Sequence, residues 1–185
     1  MGTQHGSHSH GPGHSRGSAS SVEHKARGPA TISCGIITCS DTRTPDTDKS
    51  GQLIRELLTH EGHRIDAYHV VKDEPTEVQH LLQELGKHQS LGAIIINGGT
   101  GISQRDSTFE AVDGLLEKRL VGFGEIFRYL SYKDIGSSAI LSRATAGLYR
   151  GKVIFSIPGS SGAVRLAMET LIIPELPHIV GEMQK

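Results

Sequence analysis

The sequence predicts an α/β fold with a parallel sheet carrying helices on both faces, and three observations predict it. Apolar runs alternate along the chain with stretches whose apolar residues recur every three to four positions, the order that helical crossovers between parallel strands produce. The segment Leu91–Ile96 contains no polar side chain, as a strand buried on both faces requires. Glycine or proline stands where one pattern gives way to the next.

Taken in order, Thr31–Cys39 reads as a buried strand. Ser50 opens a helix that gathers Leu53, Ile54, Leu57 and Leu58 on one face, and Gly62 stops it. Arg64–Val71 is a second strand. Pro75 marks the next helix start, with Val78, Leu81, Leu82 and Leu85 at i, i+3, i+4 and i+7 before Gly86. Leu91–Ile96 is the third strand. Ser107, with Glu110 three residues on, has the form of a capping box opening a helix that turns Ala111, Val112, Leu115 and Leu116 inward. Residues 122–148 read as mostly helical with glycine punctuation. Lys152–Ile157 is the last strand, and a helix from about Ser161 buries Val164, Ala167, Met168, Leu171 and Ile172.

Residues 1–30 stand apart. They hold six Gly, six Ser and five of the eleven His, too little apolar surface to offset a backbone ordering cost of about 1–2 kcal/mol per residue. A disordered tail is expected there, and one folded domain over residues 31–185. His5, His8, His10 and His14 have the spacing of a transient metal chelator, with a plain solvated extension as the alternative. The tail's charge is +2, so a net charge of −1 for the chain leaves −3 for the domain. A slightly acidic domain with four Phe, four Tyr and no Trp lacks the basic footprint and stacking rings of a nucleic-acid binder. No apolar run approaches a membrane span, and none follows the N-terminus as a secretory signal does. Cys34 and Cys39 fall on opposite faces of the first strand, about 16 Å apart and too far to bridge. Two reduced thiols indicate the cytoplasm.

In an open parallel sheet the ligand binds outside the carboxyl ends of the strands. The loops leaving those ends are Ser40–Lys49, Lys72–Glu74, Asn97–Asp106 and Pro158–Gly162; the loops at the opposite edge are short and chemically plain. Asp41, Asp46, Asp48, Asp73 and Asp106 therefore converge with two glycine-rich turns on one edge. The backbone N–H groups of Gly98-Gly99-Thr100-Gly101 are free to face an anion, and Pro158-Gly159-Ser160 repeats the arrangement. Neither is a Walker A loop, and Gln104 breaks the dinucleotide pattern G-x-G-x-x-G. Asp73 and Asp106 each have a structural alternative, as caps of the helices at Pro75 and Thr108. Carboxylates beside phosphate-binding turns repel the phosphate unless a cation bridges them, and Mg²⁺ takes one or two carboxylates plus substrate phosphates. The residues point to a Mg²⁺-dependent enzyme acting at a phosphate group, with Arg43, Lys49 and Arg105 as candidate neutralising cations.

The same segments resemble the MoaB/MogA family of molybdenum cofactor biosynthesis, also the fold of the gephyrin G domain. The carriers are Ser40-Asp41-Thr42-Arg43 with Asp48-x-Ser50-Gly51, Asp73-Glu74, and Asn97-Gly98-Gly99-Thr100-Gly101-x-x-x-Arg105-Asp106-x-Thr108. They continue with Gly122-Phe123-Gly124-Glu125-x-Phe127-Arg128, Ser142-Arg143-Ala144 and Ile157-Pro158-Gly159-Ser160. Asn97 stands where Thr is common in the family. The resemblance implies a three-layer α/β sandwich with a mostly parallel sheet, assembled as a homotrimer or a hexamer of two trimers, with other enzymes of the pathway as possible partners. It implies Mg-ATP-dependent adenylylation of molybdopterin, with pyrophosphate released and Mg²⁺ as cofactor. Asp73 and Asp106 match the family's catalytic aspartates and are the candidate Mg²⁺ ligands. Ser40, Asp41, Ser50, Gly51, Gly98, Gly99, Thr100, Gly101, Arg105, Pro158, Gly159 and Ser160 are the candidate substrate and phosphate contacts. A non-catalytic scaffold that binds molybdopterin or nucleotide is the alternative function.

Overall fold

The computed structural model describes residues 28–185, so the expectations for the histidine tail fall outside the described residues. The elements are β1 (Ser33–Cys39), α1 (Lys49–His60), β2 (Arg64–Val71), α2 (Pro75–Gly86), β3 (Leu91–Asn97), α3 (Thr108–Asp113), β4 (Lys118–Arg119), α4 (Val121–Ile135), a 3₁₀ turn (Gly136–Leu141), β5 (Thr145–Tyr149), β6 (Lys152–Ile157), α5 (Ser161–Ala167), a π turn (Met168–Ile172) and α6 (Ile173–Met183). One sheet runs in the order β2-β1-β3-β6-β5-β4. Its first four strands are parallel, while β5 and β4 each run antiparallel to a neighbour.

The two faces of the sheet carry separate cores because strand side chains alternate. Cys34 and Ile36 of β1, Ala93 and Ile95 of β3, and Val153, Phe155 and Ile157 of β6 pack under α1, α4, α5 and α6. Ile37, Cys39, Ile94, Ile96 and Ile154 pack on the other side under α2 and α3. Helix, sheet and helix make three layers. Cys34 and Cys39 are free thiols in opposite cores, and burial pushes each up to about 12, which makes them inert. No helix among the described residues is long and apolar enough to cross a membrane.

Two departures from the sequence-based expectations have physical causes. The stretch read as mostly helical contains α4 and the 3₁₀ turn but also β5, which forms a hairpin with β6. Its two-residue connection places Arg150 at φ 47 and Gly151 at φ 71, the double positive φ of a tight hairpin; Arg-Gly is a rare way to encode it. The last helix also continues beyond Ile172: a π turn carries it into α6, where Pro174 sits in the first turn and needs no N–H partner.

Candidate active site

The four loops at the carboxyl edge are tied to one another. The Asp73 amide donates to Asp41 Oδ1 at 3.4 Å. Arg105 bridges Asp41 at 2.9 Å and Glu74 at 3.0 Å. Arg43 donates to the Gly159 carbonyl at 3.4 Å, and the Gly98 amide donates to the Ile157 carbonyl at 3.1 Å. Between the two glycine turns opens a cleft of about 440 Å³. Gly98–Gly101, Asp106, Pro158, Gly159 and Ser160 form one wall. The facing wall comes from the end of α4 and the 3₁₀ turn, through Ser131, Asp134, Ile135, Leu141 and Ser142, with Leu166 of α5 at the side. None of these facing residues is among the contacts expected from the sequence; Ser142, in the Ser142-Arg143-Ala144 segment, alone carries a sequence signal.

Close approach explains the glycines. Gly98 has φ 94, and a Cβ there would sit 2.2 Å from the Cys39 carbonyl oxygen, so no other residue fits. A Cβ on Gly99 would lie 2.4 Å from Asp73 Oδ2, so this glycine leaves the room that brings the buried Asp73 carboxylate up against the turn.

Neither aspartate is a simple helix cap. The N-cap of α2 is Glu74, which makes no side-chain cap bond. Asp73 instead reaches the start of α3: its Oδ1 accepts from the Thr108 hydroxyl at 2.8 Å and from the Ser107 amide and hydroxyl at 3.4 and 3.5 Å. The expected capping box does not close, because Ser107 turns to Asp73 and Glu110 turns to Arg143. Asp106 is held within its own loop, with Oδ2 accepting from the Ser103 hydroxyl at 2.6 Å and the Ser103 amide at 3.0 Å. The Ser103 hydroxyl, with the Ser103 and Gly101 amides, holds this carboxyl below the usual range although partial burial works against them.

Other candidate residues lie beneath the cleft. Ser50 and Gly51 are buried in the first turn of α1, which starts at Lys49 with Asp48 as its N-cap and so does not open at Ser50 as expected. Asp48 is itself fully buried and accepts from the Gly51 amide at 3.0 Å, the Ser50 hydroxyl at 3.0 Å and the Tyr68 hydroxyl at 2.7 Å. Burial raises its affinity for a proton, but these donors outweigh that and hold the carboxyl below its ordinary value. Burial and the Asp48 carboxylate together push the Tyr68 phenol well up. Asn97 joins the same network: its Oδ1 lies 2.8 Å from the Ser50 hydroxyl and shares that single proton with Asp48, and its Nδ2 donates to Thr38 Oγ1 at 2.8 Å. It thereby pins β1, β3 and α1 together. Ser40 orders its own loop, its hydroxyl oxygen accepting from the Thr42 and Arg43 amides. Asp41 is held below the usual carboxylate range by its bond to Arg105. Ser160 caps α5 by accepting from the Ala163 amide at 3.3 Å.

The donor set fits Mg²⁺. Among the described residues neither Asp73 nor Asp106 is ion-paired, because Arg105 is taken by Asp41 and Glu74 and Arg143 by Glu110. No described cluster of three His, Cys, Asp or Glu forms a closed metal cage. Two carboxylates with spare oxygens, beside turns rich in N–H donors, suit a hard cation completed by water and phosphate.

An open α/β sheet with a cleft between two glycine turns at its carboxyl edge has the arrangement in which α/β proteins bind small molecules. A family profile described as a probable molybdopterin binding domain matches residues 35–178. Molybdenum cofactor biosynthesis protein B of Halalkalibacterium halodurans is 56% identical over 164 residues, 88% of this chain and 96% of that one. A crystal structure of a molybdenum cofactor biosynthesis protein B superposes with a TM-score of 0.82 at 54% identity, covering 84% of this chain and 98% of that chain. The tungsten cofactor synthesizing protein MoaB from Pyrococcus furiosus gives 0.76 at 39% identity, with 85% and 99% coverage. The chain belongs to the MoaB/MogA family of molybdenum cofactor biosynthesis proteins.

Proposed function

We propose that the protein adenylylates molybdopterin. A terminal phosphate oxygen of molybdopterin attacks the α-phosphorus of ATP, the bond to the bridging oxygen of the β-phosphate breaks, and pyrophosphate leaves. No proton need move to a side chain, so catalysis is alignment and charge neutralisation. The Gly98 amide is already engaged by Ile157 and the Gly101 amide faces Asp106, so the amides of Gly99 and Thr100, with those of the Gly159-Ser160 turn, would be the donors to the phosphates, and Asp73 and Asp106 would hold Mg²⁺. When bound, the ion neutralises phosphate charge at the reacting centre. The observation that carries this reading is the meeting of the two glycine turns with Asp106 in the cleft wall and with the buried Asp73 packed behind Gly99, neither carboxylate in an ion pair. Incubation with molybdopterin and Mg-ATP is expected to release pyrophosphate. Pterin binding without release would leave only the scaffold role.

Asp73→Ala is expected to abolish Mg²⁺-dependent turnover while pterin binding, measured by fluorescence titration, persists. Because Asp73 also accepts bonds from Ser107 and Thr108, the change costs about 2 kcal/mol of stability. Loss of binding together with turnover would mean that the site had collapsed.

Self-association is part of the proposal, with the cytoplasm as its compartment. On α4, Val121, Ile126, Tyr129, Tyr132 and Ile135 are exposed, and Ile140 just beyond is 83% exposed, a concentration of large apolar side chains of the kind that marks an interaction surface. Light scattering is expected to give a multiple of the 19.9 kDa chain mass, and Tyr132→Glu is expected to reduce it. A monomeric wild type would remove the proposal.

A further inference from the structure

We propose that Arg143 is a positioning residue for Asp106, acting through the peptide group between Thr100 and Gly101. Arg143 does not line the cleft; it lies behind the glycine turn, between the 3₁₀ turn and β5. Its Nε donates to the Thr100 carbonyl at 2.8 Å and its Nη2 to the Gly101 carbonyl at 2.5 Å. The guanidinium is fixed in turn by the Glu110 carboxylate and by the Phe109 ring, whose centroid is 4.8 Å away.

In a trans peptide the C=O and the following N–H point in opposite directions, and there are no cis bonds among the described residues. Holding the Thr100 carbonyl on the rear of the turn therefore turns the Gly101 N–H forward, and Gly101 lies directly against Asp106: a Cβ built on it would sit 2.5 Å from Asp106 Oδ2, and its amide is among the groups that hold that carboxyl low. Holding the Gly101 carbonyl on the same guanidinium fixes the next peptide plane too. The fork geometry is needed for both bonds at once, which a lysine does not reproduce. Arg143 pairs with Glu110, and its charge also helps to hold the Asp106 carboxyl low; the geometric part of its role is the one that Arg143→Lys removes while keeping the charge.

The activity arm of the test rests on the proposed adenylylation; a second arm does not. Hydrogen exchange in the full-length protein is measured at the Gly101 amide, with the Ile94, Ile95 and Ile96 amides of β3 as internal reference. Arg143→Met and Arg143→Lys are each expected to speed Gly101 exchange by about tenfold and leave the β3 amides unchanged, and Asp106→Ala should do the same. In turnover, both Arg143 variants are expected to lower kcat by about tenfold with little change in either KM. Arg119→Gln, which removes a comparable surface pair with Asp113, should leave both readouts at wild-type values. Should wild type fail to turn over, the exchange arm still decides. Wild-type protection of Gly101 in either folded Arg143 variant would overturn the proposal, as would Gly101 exchange that rises only together with the β3 amides.

Discussion

Asp106→Asn is expected to lower the proposed adenylylation by about 10³-fold or more and to leave the thermal midpoint within a few degrees of wild type. The amide oxygen of Asn still accepts from Ser103, so those two loop bonds persist; what disappears is a negative charge outside any ion pair at the cleft wall. Initial rates with molybdopterin and Mg-ATP, beside a thermal melt, check both halves. Wild-type turnover in this variant would reduce Asp106 to an ordering residue of its loop.

Asp48→Ala is expected to act on stability, by about 3 kcal/mol or roughly 10 °C in Tm. The Gly51 amide, the Ser50 and Tyr68 hydroxyls and Arg43 all converge on this buried carboxylate, and its loss leaves several of them without an acceptor. The folded-state value is lowered relative to the ordinary 3.8, so the contribution is fully present above that ordinary value. It falls away as pH drops from there through the lower folded value. Denaturation melts across the acid range should show wild type losing stability in that window. The Ala variant should lack that component, and equal acid profiles for the two proteins would remove the assignment.

The layers of the fold were legible because strand and helix periods differ, and because Leu91–Ile96 is apolar throughout. The convergence of Asp41, Asp73, Asp106 and the glycine turns followed from the rule that ligands gather at carboxyl edges. Burial was not legible: Ser50 and Gly51 carry the residue types of a binding loop, yet both lie beneath the cleft in the Asp48 network. Asn97, an unusual residue for its place, became intelligible only when its partners on β1 and α1 were seen. The hairpin at Arg150-Gly151 was hidden because its turn uses neither Asn nor Asp. Ser131, Asp134 and Ile135 were invisible as cleft residues because α4 returns to the site from outside the parallel core, a matter of tertiary packing and not of local pattern. The same holds for Arg143, whose bonds reach the glycine turn across 42 residues.

ATP labelled at its α-phosphate tests the central claim most directly. With molybdopterin and Mg²⁺ present, the label should appear on the pterin product with one pyrophosphate released per label transferred, and Asp106→Asn should prevent both. ATP left uncleaved by a wild-type protein that nevertheless binds molybdopterin would contradict the account.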